Sequence, residues 1–313
     1  MPSKEYTSIT DSTKPTISSD FFLLSSSFKD FSDNIINCTI NSIRLLHSLC
    51  TYTNITRNSE NGGCVFFNCS SSIVQDRFYA TKCYTPDHGK YSYTVVQRKE
   101  NKNFVNLSSL CQCGQDYSGD ASILHQYGNK TLISTNNTKS RCNRMAGYRV
   151  RINPVNVNFC CFISNDNPIG TFVGMYHYDT PDSFVKRSLF RNNTCKIGDT
   201  HWGLIGSESS FLTVSECIFL ENIAPHTIGI WYGILTVTHC IVDSFTASST
   251  FHGIIYTNEM KTDCLKIGFS LPSIEECKTE NLKPFEHGKN KLDVLKFIFS
   301  FNIFYSEKII NEC

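Results

Sequence analysis

Two short hydrophobic patterns alternate along most of the chain. The first begins at a β-branched residue, reaches a small residue three positions later, an aromatic or aliphatic residue two positions after that, and usually Asn a further three positions on. Clear copies occupy residues 155–165, 183–193, 212–222 and 235–245, and a weaker copy occupies 73–81. Because apolar positions alternate and β-branched and aromatic types dominate, each copy predicts short β-strands.

The second pattern is a glycine that opens a short apolar run shortly before each copy of the first. The glycines are Gly63, Gly147, Gly174, Gly203, Gly229 and Gly253, with Gly89 and Gly119 continuing the series less clearly. Successive glycines lie 26, 30, 28, 27, 29, 26 and 24 residues apart. The chain therefore repeats with a period near 27 residues.

A period of this length with two strands in each unit is typical of a solenoid of stacked coils. Helical repeats do not fit the alternating strands, and the L-x-x-L-x-L-x-x-N signature of leucine-rich repeats is absent. The sequence thus predicts an all-β fold, a parallel β-helix of about eight coils with two or three strands in each coil. Eight coils at a strand spacing of about 4.8 Å would make a rod roughly 35–40 Å long.

The remaining segments differ from the repeats in composition. Residues 1–20 are polar and are expected to be disordered, whereas residues 21–60 are expected to begin the solenoid or cap its end. The repeats themselves occupy residues 61–260. Residues 261–313 are expected to be irregular, with a final apolar strand near 297–304 whose unpaired backbone would make that end prone to aggregation.

The repeat also predicts which side chains face the inside of the coils, because side chains alternate across a strand. The residues expected inside include Val157, Phe162, Val185, Phe190, Val214, Phe219 and Val237. The turn residues Asn165, Asn193 and Asn222 are expected to stack and to satisfy turn backbone groups with their amides, in preference to binding a ligand.

Sixteen cysteines, an even number at high density, suggest disulfides formed in an oxidising compartment. No C-x2-C spacing is present, so structural zinc is not expected. Cys160, Cys217 and Cys240 share one motif position. They are predicted to form a column of buried thiols. Cys160 and Cys217 lie two coils apart, roughly 9–10 Å, beyond the reach of a disulfide, whereas parallel stacking keeps the Cβ atoms of Cys217 and Cys240 about 4.8 Å apart, where a disulfide prefers about 3.8 Å. Bridges are expected between loop cysteines instead, first of all around Cys111 and Cys113.

Composition and charge exclude several classes of function. A net charge of +1, with only 18% charged residues, gives no field for binding nucleic acid or an anionic membrane. A hydrophobic fraction of 40% excludes a chain that is disordered throughout. Residues 1–8 lack the apolar core of a secretory signal, and no apolar stretch approaches the roughly 20 residues of a membrane span. Neither a nucleic-acid partner nor a membrane span is expected.

Several segments carry a family resemblance beyond the period. Residues 35–38 (Ile-Ile-Asn-Cys), 61–63 (Asn-Gly-Gly), 72–78 (Ser-Ile-Val-Gln-Asp-Arg-Phe) and later units such as 212–222 resemble a large cysteine-rich β-helix family of surface proteins expanded in flagellate protists. The resemblance covers most of residues 21–256. It implies a right-handed, pectin-lyase-like β-helix and often a secreted or membrane-anchored product. The family has no established catalytic residues to carry over.

Candidate chemistry is sparse. His201, His226 and His252 precede repeat glycines by two, three and one residues, so they do not form one stacked face. The mixed acid–base groupings worth testing are Asp87 with His88, Asp182 with Lys186 and Arg187, and Asp199 with His201. The Asn-Thr-Asp, Asp-Asp and Gly-His-Gly patterns of β-helix hydrolases are absent. The sequence accordingly nominates no catalytic, cofactor-binding or metal-binding residue.

Two functions fit the pattern. The first, which we expect, is a non-catalytic structural or adhesive repeat protein whose rigid faces contact glycans or surface proteins through exposed aromatic residues. The aromatic residues proposed for this role are Tyr176, Tyr178, Trp202 and Trp231. The second is a carbohydrate-active β-helix enzyme, a polysaccharide lyase or hydrolase. It would require carboxylates and basic residues from three or more adjacent coils to converge on one groove.

Overall fold

The computed structural model is a stack of parallel β-strands, with no helix in the residues it describes. The described residues are 14–262, apart from 18–19, 42, 153, 170–171, 177–182, 197–202 and 209. They lie in one compact unit, Met1–Gly268, and a second unit is Phe269–Cys313. The apolar strand predicted near 297–304 and nearly all of the segment predicted to be disordered lie outside the described residues.

Three parallel ladders run through the stack, and the chain visits them in the order A, B, C. Ladder A contains Phe21–Leu24, Leu45–Ser48, Ile73–Asp76, Lys102–Asn106, Asn129–Ile133, Val155–Asn158, Ser183–Lys186 and Ser210–Ser215. Ladder B contains Ser27–Lys29, Thr51–Thr53, Tyr79–Thr81, Ser109–Cys111, Asn136–Thr138, Cys161–Ile163, Leu189–Arg191, Ile218–Leu220 and Ile241–Val242. Ladder C contains Ile36–Cys38, Val65–Cys69, Ser92–Val96, Ile123–Gln126, Tyr148–Arg151, Val173–Tyr176 and Ile205–Glu208.

Two long strands and one short pair complete the sheets. Ile228–Thr238 pairs with the last strands of both ladder C and ladder A, and Ala247–Asn258 pairs along nearly all of it. After ladder B, the two-residue strands Asp166–Asn167 and Thr194–Cys195 pair with each other. Each coil therefore carries three strands, and some coils carry a fourth short one.

The register is continuous along each ladder. In ladder B, Phe28 pairs with Tyr52 and Tyr52 with Ala80, and the series continues coil by coil to Phe219 and Val242. Successive partners in this series are 23 to 30 residues apart, which confirms the predicted parallel β-helix and its period near 27 residues. Residues 21–53 supply strands to all three ladders, so this segment is part of the solenoid itself.

The predicted inner residues are confirmed: each of the seven is at most 1% exposed. Their aromatic members stack along the axis. The Phe190 ring lies 5.0 Å from the rings of both Phe162 and Phe219, with interplanar angles of 16° and 13°. Since all three rings are buried, the stack forms the apolar centre of ladder B in the later coils.

The earlier coils carry polar side chains inside, which the sequence analysis did not predict. The buried polar residues facing inward from ladders A and C include His47, Gln75, Thr94, Asn103, His125 and Lys130. Thr94 donates from its hydroxyl to Asn103 Oδ1 over 2.7 Å, and the Tyr148 hydroxyl lies 3.0 Å from His125 Nδ1. Burial lowers the pKa of Lys130 to about 7 and that of His125 to about 3.

Single non-glycine residues with a left-handed φ make the corners of the coils. After ladder A they include Leu49, Arg77, Leu107, Ser134, Phe159, Arg187, Glu216 and His239, with φ between 46° and 57°. Such a conformation costs roughly 1–2 kcal/mol for a residue with a Cβ. Hydrogen bonds between coils offset this cost: the Arg77 N–H, for example, donates to the Asn106 carbonyl over 2.9 Å.

The residues of the predicted thiol column directly follow these corners. Cys160, Cys217 and Cys240 are buried free thiols, as predicted. Ser188 occupies the same position between Cys160 and Cys217, and Phe78, after the Arg77 corner, shows that an apolar side chain is accommodated there as well. The Cys217 thiol and the Ser188 hydroxyl each donate to the carbonyl two residues back, and the Cys160 N–H donates to Ser188 Oγ. These buried thiols therefore also act as weak hydrogen-bond donors.

Two further cysteines were singled out by the sequence analysis. Cys111 is disulfide-bonded, whereas Cys113 carries a free thiol. Both are buried, and Cys111 is the last residue of a ladder B strand. A disulfide thus occurs in the region where one was expected, although Cys111 ends a strand and is not a loop cysteine.

Candidate functional site: a polar corner groove

An open groove runs along the corner where the chain leaves ladder B. It consists of two adjoining cavities of about 650 and 330 Å³ that share Lys82 and Gln115. One side is a column of corner residues from successive coils: Asn54, Lys82, Gln112, Lys139, Ser164 and Asn192. The other side contains Thr56, Tyr84, Gln115, Arg141, Asp166 and Thr194. We call this polar surface the corner groove. At about 4.8 Å per coil, its six corner residues span roughly 24 Å.

The left-handed corners place the first column outside. Each corner residue has a positive φ, 53° at Lys82 and also 53° at Lys139. The following residue then points inward and forms the floor, as Cys83, Cys113 and Ser140 do. Because the corner N–H groups bond to the next coil, with Lys82 N–H donating to the Cys111 carbonyl, the column is held at a fixed spacing.

In the later coils the floor is the predicted asparagine column. Asn165 and Asn193 are buried, and each donates from Nδ2 to Oδ1 of the next asparagine along the stack, over 3.2 and 3.0 Å. The same amides bond turn backbone, as in the Asn193 donation to the Phe162 carbonyl. The structural role predicted for these residues is confirmed, and the amide of Asn165 also lines the groove.

Cations and anions in the groove differ in their partners. Lys82 and Lys139 are exposed, and neither has a carboxylate within ion-pair distance in the part of the chain that the structure describes. Asp166, by contrast, accepts a hydrogen bond from the Tyr117 hydroxyl over 2.6 Å and lies 3.8 Å from Arg141. The groove therefore presents two ammonium groups without carboxylate partners, while its acids, Asp166 and Asp116, accept hydrogen bonds from tyrosine hydroxyls.

The end of the groove at Asp116 is organised by a buried lysine. Lys90 is fully buried, and its Nζ donates to the Thr85 carbonyl over 2.6 Å and to Ser118 Oγ over 2.8 Å. Burial lowers the pKa of Lys90. Burial raises the pKa of Asp116, but hydrogen bonds from Ser118 and Tyr84 and the charge of Lys90 outweigh it, so that the pKa is lowered. Lys90 thus fixes the loops that carry Tyr84 and Asp116.

The predicted pair Asp87 and His88 lies on one of these loops. His88 Nε2 is 3.6 Å from Asp87 Oδ1, and His88 Nδ1 is 3.5 Å from Asp120 Oδ2. Asp120 also forms a buried ion pair with Arg149. Burial lowers the pKa of His88, against the two carboxylates, which raise it. This imidazole between two carboxylates is the one predicted acid–base pair that the described structure brings together.

The other candidate residues do not meet at one site in the part of the chain that the structure describes. Arg187 pairs with Glu216 over 2.8 Å, the Lys186 ammonium lies over the Phe184 ring, and exposed His252 contacts the Tyr232 ring. Trp231 is half-buried and stacks on Tyr232. Tyr176 ends a ladder C strand. The remaining candidate residues lie outside the described part of the chain: Tyr178, Asp182, Asp199, His201 and Trp202.

The sequence analysis missed the corner groove itself. Its residues are of many types, so no motif marks them. The available signal was positional: each lies directly before the last position of the repeat, as Ser164 and Asn192 precede Asn165 and Asn193. A periodic column is visible once the register is known.

The comparisons with known proteins give no relative from which a role of the groove could be inferred. The chain matches no protein-family model, no curated protein and no solved structure. Among the described residues, no cluster of three or more histidine, cysteine or acidic side chains is arranged to hold a metal ion. The described residues also include no helix of the length and apolarity needed to cross a membrane.

Proposed function

We propose that this protein is a non-catalytic binding scaffold whose corner groove holds an extended glycan. The observation that carries the proposal is the pair of unpaired cations, Lys82 and Lys139, set among amide side chains in one column of fixed spacing. Hydroxyl-rich polymers are bound by such donors together with aromatic rings, and Tyr84 and Tyr117 stand beside the groove.

Rigidity supports a binding role. The groove is built on ladders whose backbone hydrogen bonds continue from coil to coil, so its residues keep their spacing without a ligand. Preorganised donors lose little entropy on binding. The resemblance to surface proteins noted in the sequence agrees with a role in contacting glycans or proteins outside a cell. We also propose that the coil is right-handed, which the same resemblance implies.

Binding to immobilised glycans, followed by titration calorimetry with the best oligosaccharide, tests the proposal. The Lys139→Ala/Arg141→Ala variant should weaken binding about tenfold or more, because each lost charge-assisted hydrogen bond is worth roughly 1.5–3 kcal/mol. Lys29→Ala, an exposed lysine of ladder B outside the groove, is the matched control and should bind normally. Equal affinity in all three proteins would place the binding surface elsewhere.

A glycan-acting enzyme is the alternative, favoured by the imidazole of His88 between two carboxylates. A general acid or base in this position would act on a polysaccharide reaching the loops at the end of the groove. Turnover assays on acidic and neutral polysaccharides decide between the two: the alternative requires product formation that His88→Gln abolishes. Binding without turnover by the unmodified protein supports the scaffold.

A further inference from the structure

Two free thiols meet inside the first turns of ladder C. Cys38 ends the strand Ile36–Cys38, and Cys69 ends the neighbouring strand Val65–Cys69. Their Sγ atoms are 3.3 Å apart, and the side chains are 1% and 0% exposed. Both residues face inward from adjacent coils, so the contact is part of the packed interior.

From this geometry we propose that Cys38 and Cys69 are joined by a disulfide when the protein meets an oxidising thiol–disulfide environment. A disulfide places its sulfurs about 2.05 Å apart, so the two atoms need to approach by roughly 1.2 Å. The register pairs Cys38 with Phe67, two residues before Cys69. At about 3.3 Å per residue along a strand and about 4.8 Å between strands, this offset puts the two Cα atoms roughly 8 Å apart, beyond the roughly 7 Å that a disulfide spans. Closing the bridge therefore requires the end of strand Ile36–Cys38 to move toward Cys69 by about 1 Å, together with side-chain rotation.

The position of the pair allows an oxidant to reach it. Strand Ile36–Cys38 is three residues long and is the first of ladder C, and its one pairing in the described chain is with Val65–Cys69. Short edge strands open at low free-energy cost. The same opening that exposes Cys38 also exposes the Cys69 thiol that packs on it.

The chemistry is thiol–disulfide exchange with a small disulfide such as oxidised glutathione. The Cys38 thiolate attacks one sulfur of the oxidant and expels one thiolate. Cys69, deprotonated in turn, displaces the second thiolate from the mixed disulfide. The two cysteines lose two electrons and two protons, and the oxidant becomes two thiols. The Cys69 thiol, close to Cys38, lowers the pKa of Cys38 and so favours it as the attacking thiolate, although burial opposes this.

The consequence is a covalent link between the first two coils of ladder C. It closes a chain segment from residue 38 to residue 69, which holds the short edge strand against its neighbour. Cys69 also donates to the Cys38 carbonyl, over 3.4 Å, which keeps its thiol beside that strand end. Elsewhere in the stack, Cys160 and Cys217 donate to carbonyls of their own strands and stay reduced in this proposal.

Disulfide mapping of the native full chain tests the inference. The protein is reduced, freed of reductant, incubated folded with oxidised glutathione, quenched in acid, alkylated in denaturant and digested for mass spectrometry. We expect a linked peptide pair carrying Cys38 and Cys69 as the main new cross-link, lighter than the two thiol peptides by two hydrogens. In the same sample Cys160 and Cys217 should be recovered alkylated.

Two variants and a second measurement test whether the cross-link is specific to Cys38 and Cys69. Cys69→Ser should abolish the linked pair, whereas Cys160→Ser, a buried thiol of another column, should leave it intact. Hydrogen exchange of residues 36–38 should slow about tenfold or more on oxidation. The proposal is overturned if native Cys38 and Cys69 are both recovered as alkylated thiols, as glutathione adducts, or linked to other cysteines.

Discussion

Asn193 donates an amide hydrogen bond to Asn222 in the next coil, with 3.0 Å between Nδ2 and Oδ1. The same Oδ1 accepts the Asn193 backbone N–H, and the Asn193 amide also donates to the Phe162 carbonyl. One side chain in each coil therefore satisfies the backbone of its own turn and of its neighbour. Because Asn193 and its bond to the Phe162 carbonyl are buried, no water replaces that partner at low cost when the side chain is removed.

Asn193→Ala should consequently lower the free energy of unfolding by about 2 kcal/mol or more, since it leaves buried N–H and carbonyl groups without partners. Urea unfolding followed by circular dichroism measures the change. The control is Asn156→Ala, an exposed residue on a ladder A strand, which should change stability by less than about 0.5 kcal/mol. A similar small effect of both variants would contradict the structural role of the column.

Substitutions at Cys217, the residue that follows the Glu216 corner, should distinguish the effect of hydrogen bonding from that of side-chain size. Cys217→Ser retains a donor to the Ser215 carbonyl and should be tolerated within about 1 kcal/mol, whereas Cys217→Val removes the donor and should cost about 1–3 kcal/mol. Thermal and urea unfolding of the two variants compare them directly. If valine proves as stable as serine, the thiol acts only as an apolar group.

The stacked rings of ladder B should dominate the stability of the later coils. Phe190→Ala empties the space between two rings 5.0 Å away on either side and should cost about 3–5 kcal/mol in the free energy of unfolding. Phe211→Ala, at a phenylalanine that is 49% exposed, is the matched control. Its cost should stay below about 1 kcal/mol, and a larger loss there than at Phe190 would refute the assignment of the core.

Lys130 should make stability depend on pH. Its pKa is lowered by burial from an ordinary value near 10.5 to about 7 in the folded chain. Between about pH 7 and pH 10.5 the unfolded chain therefore binds a proton that the folded chain does not, so stability rises with pH across this window. Below about pH 7 both states are protonated and the cost of burying the charge is fully present.

Lys130→Met should remove this dependence. The difference in unfolding free energy between the original protein and the variant, measured from pH 6.5 to pH 9.5, should shift in favour of the original protein as the pH rises. Comparing the two proteins at each pH cancels the titration of the cysteines. Lys139→Met, at an exposed lysine, is the control and should give a difference that does not vary with pH. A flat difference at Lys130 as well would show that its amine is solvated.

The repeat alone predicted the class of fold and the core of the later coils. Alternating apolar residues and a period near 27 residues require strands that return to the same face after each coil, which only a stack of coils allows. Val157, Phe162 and Phe190 could be assigned to the interior for this reason, and Asn193 to a stacked turn. These are local regularities, and local side-chain alternation is sufficient to specify them.

The corner groove and the polar interior were decided by the tertiary structure. Lys82 and Lys139 differ from Gln112 and Asn192 in type, yet all four occupy left-handed corners, because bonds between coils impose the corner whatever the residue. Sequence alone would place Lys90 and Lys130 at the surface, because a lysine is rarely buried, yet both side chains are buried in the structure. Groups from later coils accept hydrogen bonds from them, the Ser118 hydroxyl from Lys90 and the Ile152 carbonyl from Lys130, and only folding brings these acceptors to the amines.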